Sequence, residues 1–208
     1  MSTLTALEIG AYALASLLYL GYLMGLRDKA GRVALGLAVV LHLGDIGARC
    51  IHGVNPVSST PEAMSFIGFL VAAGYLLGSL RYGLASAGAF AAPAALALLL
   101  LARIVPAEAG TPAMGTLGYA HILLATLGVA VFFIAAVLAS VYLFQDRQLR
   151  RKEFTRVTTR GTPLDTLDRL GARLVSVGFP IFTVAIVTGA MWIARLGVLH
   201  GRAAVRPE

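Results

Sequence analysis

The chain has 208 residues, of which 58% are hydrophobic and only 13% charged, whereas a soluble domain is roughly 45–50% apolar and about 25% charged. With a mean hydropathy of +0.83, this composition excludes an ordinary soluble domain and indicates a membrane protein. Seventeen Lys and Arg against ten Asp and Glu leave a net charge of +7, and the placement of those cations assigns the excess to the membrane rather than to nucleic acid.

A helix that crosses a bilayer needs about 20 apolar residues at roughly 1.5 Å rise each. Six runs meet that length, at residues 4–26, 33–51, 62–80, 84–105, 116–144 and 170–193. The expected fold is therefore all-α, an integral membrane bundle of six helices forming one membrane domain over residues 1–208. The first run has no Lys or Arg before it and no small-residue cleavage site, so it reads as a retained span and not a signal peptide. Ser59, Thr60, Pro61 and Glu62 have the order of an N-cap, a first-turn proline and a first-turn acid, and Thr162-Pro163 repeats the cap-then-proline order.

Counted by loop, Arg27, Lys29 and Arg32 are followed by Arg81 and then by eight cations between Arg147 and Arg173, so twelve of the seventeen fall on one side. The positive-inside rule makes that side cytoplasmic and places both termini outside, on the periplasmic side. Residues 145–169 then form a basic cytoplasmic loop leading into the last helix. Within it Leu164, Leu167, Leu170 and Leu174 recur at helical spacing opposite Asp165, Asp168 and Arg169. This suits either a helix lying along the headgroups or the first turns of the sixth span. Pro180 is expected to kink that span.

Ionisable side chains inside a span cost a few kcal/mol each, so they mark functional positions by default. His42, Asp45, Arg49 and His52 are spaced by three, four and three residues, which puts them on one face of the second helix. Asp45 and Arg49 are placed to form an ion pair, and Asp45 is also placed to orient the His42 imidazole. Two readings stand: a self-neutralised structural stripe, or one wall of a binding site.

His121 stands alone in the fifth run, either as a packing histidine or as a ligand. Paired with His42 from another helix it would supply the two neutral imidazoles of a six-coordinate haem iron, with a depth difference of about one turn, ~5 Å, to be closed by tilt. His52 and His200 lie at the rim. No Ser/His/Asp constellation, paired catalytic carboxylates, nucleotide loop or dinucleotide fingerprint is present, which sets aside a conventional hydrolase or a nucleotide-driven pump. The single cysteine, Cys50, excludes an internal disulfide and a cysteine-based metal cage.

The stretch from Thr162 through Leu164, Asp165, Leu167, Asp168, Arg169 and Leu170, then Gly178, Phe179 and Pro180, and finally Thr188, Gly189, Ala190 and Trp192, resembles the cytochrome c assembly proteins. These are the CcsA/HemX-like integral membrane proteins that handle haem. His121 with the helix that follows it, and the basic segment after Gln145, occupy the family's places in the same order, and His42 stands where HemX-like members carry a histidine. The resemblance implies a multi-pass protein of the bacterial inner membrane, acting in cytochrome c biogenesis as a haem-binding or haem-passing component rather than an enzyme.

It also implies a non-covalent b-type haem with His42 and His121 as axial ligands to the iron, Asp45 orienting, and Arg49 meeting either Asp45 or a propionate. Longer relatives carry a tryptophan-rich haem-presenting segment after the position of Trp192. This chain has one Trp, so that segment is expected from other cytochrome c assembly subunits. Alternative expectations are a haem-free regulatory subunit that docks a cytosolic partner through the basic loop, and a small transporter using the polar stripe.

Overall fold

The structure, a computed structural model, describes residues 3–25, 27–107, 115–153 and 161–204, with residues 196–204 described as backbone only. The elements in chain order are α1 (Thr3–Leu23), α2 (Asp28–Ile51), α3 (Thr60–Tyr82), a short 3₁₀ turn (Ala85–Ala87) running into α4 (Gly88–Ile104), α5 (Thr116–Arg150) and α6 (Leu164–Ala204). No strand occurs among the described residues. Six spans are long and apolar enough to cross a membrane, and the protein is a multi-pass membrane protein built as an all-α bundle.

The helix ends follow from local hydrogen bonding. Ser59 caps α3 by accepting from the Glu62 amide, with Pro61 in the first turn. α2 ends where Gly53 adopts φ +83°, with Gly53 N–H donating to Cys50 O and Val54 N–H to Arg49 O, the paired bonds of a Schellman cap.

α5 outlasts its apolar run. It continues past residue 144 to Arg150, supported by the Asp146–Arg150 pair one turn apart at 2.8 Å, and closes with Lys152 in the left-handed region at φ 57°. Backbone hydrogen bonding sets the end of a helix, and polar residues in water sustain it where no apolar window remains. The expected basic loop over 145–169 is shortened accordingly at both ends, and Arg156 and Arg160 lie outside the described residues.

At the other side of that loop, Leu164, Leu167, Leu170 and Leu174 are the first turns of one continuous α6. Thr162 does not cap this helix with its hydroxyl. It donates instead to Gly83 O at 3.1 Å, tying the start of α6 to the turn between α3 and α4. Pro180 sits within the unbroken helix.

The short connections among the first four spans make these run in alternate directions. α1 packs on α2 and α4, and α3 packs on α2 and α4, which closes a four-helix unit; α5 attaches to α3, and α6 packs on α5. Small residues allow the close approach: Ala15, Ala38, Ala72, Ala92 and Ala95 are fully buried, as in helix pairs that pack in lipid without a hydrophobic driving force. Tyr19 of α1 meets Tyr75 of α3 edge to face with centroids 5.8 Å apart. One end of the bundle thus collects the start of α1, the end of α2, the start of α3, the end of α4 and the start of α5.

Candidate functional site

That end holds a buried polar centre inside the four-helix unit. His42 is fully buried, and both of its nitrogens are engaged. Nδ1 lies 3.0 Å from Glu8 Oε1 and 3.1 Å from the Tyr12 hydroxyl, while Nε2 lies 3.1 Å from Ser65 Oγ. Edge contacts from Tyr12 and Phe69 fix the ring plane. The partners that orient His42 are therefore Glu8, Tyr12 and Ser65, on α1 and α3, and not Asp45.

Asp45 turns toward cations. Arg49 Nε donates to Asp45 Oδ2 at 2.8 Å, so the expected pair within α2 forms, and Arg49 Nη1 donates to Glu62 Oε1 at 2.7 Å. Arg103, on α4, approaches Asp45 Oδ2 at 3.3 Å and Glu8 Oε2 at 3.7 Å. Three carboxylates, Glu8, Asp45 and Glu62, thus face two guanidinium groups from four helices. Neither Glu8 oxygen has an aligned hydrogen-bond donor, so its compensation is the nearby charge of Arg103 together with the imidazole. Burying a carboxylate costs several kcal/mol unless opposite charge stands close, and this arrangement supplies it. Arg49 is committed to two carboxylates, Asp45 and Glu62.

His121 belongs to a second, separate place. It sits in the second turn of α5, half-buried against α6, where its Nδ1 donates to the Ala185 carbonyl at 2.6 Å. A carbonyl only accepts, so this bond fixes the proton on Nδ1 and leaves Nε2 as the unprotonated nitrogen of the ring. Trp192 lies beside the ring with centroids 6.3 Å apart.

Two glycines make the fit. A Cβ on Gly189 would come within 2.6 Å of the His121 ring, and one on Gly118 within 3.0 Å of the Trp192 indole. The shells of the two histidines share no residue among the described contacts: His42 is enclosed by α1 and α3, and His121 by α6. Both nitrogens of His42 are hydrogen-bonded, whereas His121 is held through Nδ1 alone among the described contacts. No group of three or more His, Cys, Asp and Glu suited to a bare metal ion occurs among the described residues.

Sequence reasoning passed over Glu8 and Arg103. Each is a lone charge near the end of an apolar run, and the signal that joins them is topological. In an up-and-down bundle the start of the first span and the end of the fourth meet at the end that also holds Asp45 and Glu62. Tyr12 and Ser65 carried no such signal.

A family model described as Cytochrome C assembly protein matches residues 57–198. The match runs from the loop before α3 into α6 and so includes His121, Ala185, Gly189 and Trp192, whereas Glu8, Tyr12, His42, Asp45 and Arg49 precede it. No curated protein and no solved structure matches the chain. With more than half of its length matched, the chain belongs to the cytochrome c assembly protein family, and its role lies in cytochrome c biogenesis.

Proposed function

We propose that this protein is a haem-handling assembly factor of the bacterial inner membrane, with haem as its cargo and His121 as the residue that meets the iron. The observation that carries the reading is the 2.6 Å bond from His121 Nδ1 to Ala185 O, which holds the ring from behind and keeps Nε2 unprotonated, the form an iron ligand needs. Trp192 supplies an aromatic surface beside it. The His42, Asp45 and Arg49 side chains, proposed on sequence as part of the same site, serve in this reading as the fixed polar centre of the four-helix unit. A second axial ligand for the iron at His121 comes from another assembly subunit, which makes the chain partner-dependent, and the transfer of cargo needs no covalent chemistry from its own residues.

The test is a haem titration of the detergent-solubilised protein followed by absorbance before and after dithionite. The expected result is a Soret band that shifts on reduction, is lost in His121→Ala and persists in His42→Ala preparations that remain folded. A wild-type protein without the band, or a band indifferent to His121→Ala, overturns the assignment and favours a haem-free docking role through the basic end.

A further inference from the structure

The end of the bundle opposite the polar centre holds an apolar cavity between α3, α4, α5 and α6. Its volume is about 190 Å³, larger than the roughly 150 Å³ apolar cavity known to stay dry and accept a benzene-sized guest. Val71, Gly74, Gly78, Ile134, Leu138 and Leu170 form most of its wall. The Tyr75 hydroxyl, which also borders it, donates to Leu84 O at 3.1 Å, so it asks for no polar guest. Gly74 and Gly78 lie on one face of α3 along this wall, and Gly74 lets Ile134 of α5 come close.

Tyr82 stands at the mouth, and the Arg81 guanidinium lies 5.6 Å above its ring. Three other cations at this end have carboxylate partners, Arg32 with Asp28, Arg150 with Asp146 and Arg169 with Asp165. Arg81 has none and, of the cations there without an ion pair among the described residues, is the one set over an aromatic ring that lines the cavity. An unpaired cation held by an aromatic ring at the rim of an apolar hole fits a molecule with an anionic head and a hydrocarbon tail.

We propose that this cavity takes one acyl chain of an anionic phospholipid from the adjoining leaflet, with the phosphate at Arg81. The site is distinct from His121 and does not depend on haem handling. A neutral prenyl chain suits the cavity equally well but leaves the charge of Arg81 without a counterpart, which is why the headgroup is assigned as anionic.

The proposal is tested by native mass spectrometry of the purified full chain, delipidated and then offered phosphatidylglycerol or phosphatidylcholine with identical acyl chains. The expected result is a one-lipid adduct several-fold more abundant with phosphatidylglycerol. Arg81→Gln should erase that preference while leaving weaker binding of both lipids, and Gly78→Leu, whose Cβ lies at an ordinary 3.4 Å from Leu84, should reduce both adducts. Equal adducts of the two lipids on the wild-type protein overturn the proposal without recourse to any variant. So does an unaltered adduct in monodisperse Gly78→Leu protein, or a co-purified neutral quinone that displaces the phospholipid.

Discussion

Arg103 Nη2 stands 3.3 Å from Asp45 Oδ2, joining side chains fifty-eight residues apart, and the same nitrogen lies 3.7 Å from Glu8. One guanidinium thereby compensates carboxylates on two other helices at the place where the four-helix unit is least apolar. Arg suits this task better than Lys, since its planar fork reaches two acids at once and its weaker hydration lowers the cost of burial.

Arg103→Gln is expected to cost about 3 kcal/mol. That is the low end of the range for removing one partner of a buried ion pair, because Arg103 retains 19% exposure while Glu8 has none. Thermal unfolding in detergent measures the loss, and Glu8→Gln combined with Arg103→Gln should recover part of it, since the double variant leaves no carboxylate uncompensated at position 8. A loss below about 1 kcal/mol, the scale of an exposed pair, would mean that water and not Arg103 satisfies Glu8.

How much of this was legible before the structure differs between helix and site. The six spans could be read because a crossing helix demands an uninterrupted apolar run, and such runs are rare by chance. The Asp45–Arg49 pair could be read because both partners lie on one helix. The orientation of His42 by Glu8, Tyr12 and Ser65 could not, because it depends on which faces of α1 and α3 turn inward, and short apolar sequences with Gly and Ala all round carry little such information. For the same reason His42 and His121 looked like partners: both are histidines in lipid, and only the path of the chain separates the α1–α4 unit from the α5–α6 pair. Residue 144 marked the end of the apolar run but not of α5, since Gln145, itself 3% exposed, is still packed in the bundle.

The glycine beneath His121 gives a prediction independent of removing the ring. A Cβ at position 189 falls 2.6 Å from the ring carbon and 2.7 Å from Nδ1, so Gly189→Val must push the imidazole off its carbonyl anchor. Haem affinity should fall nearly as far as in His121→Ala, and the ring nitrogen resonances, followed by NMR with labelled histidine, should report loss of the fixed tautomer. Full haem binding in Gly189→Val protein would show that the Ala185 bond does not prepare His121 for the iron.

Orientation in the membrane is the last expectation open to direct measurement. Counted along the sequence, twelve of the seventeen cations fall in the loops of one side, the side opposite His121, and the positive-inside rule places that side in the cytoplasm. The polar centre, His121 and the loop after α2 then face outward. Cys50 is exposed in the final turn of α2 and is the chain's one cysteine, so a membrane-impermeant maleimide has a single target. Intact spheroplasts should be labelled without permeabilisation, and labelling should vanish in Cys50→Ser. Because lipid near the helix end slows thiol reaction, Asn55→Cys in the Cys50→Ser background moves the target to an exposed loop position. Modification of that thiol only after the membrane is opened would invert the topology. The site at His121 would then face the cytoplasm, and any haem it takes would come from the side on which the cations were thought to gather.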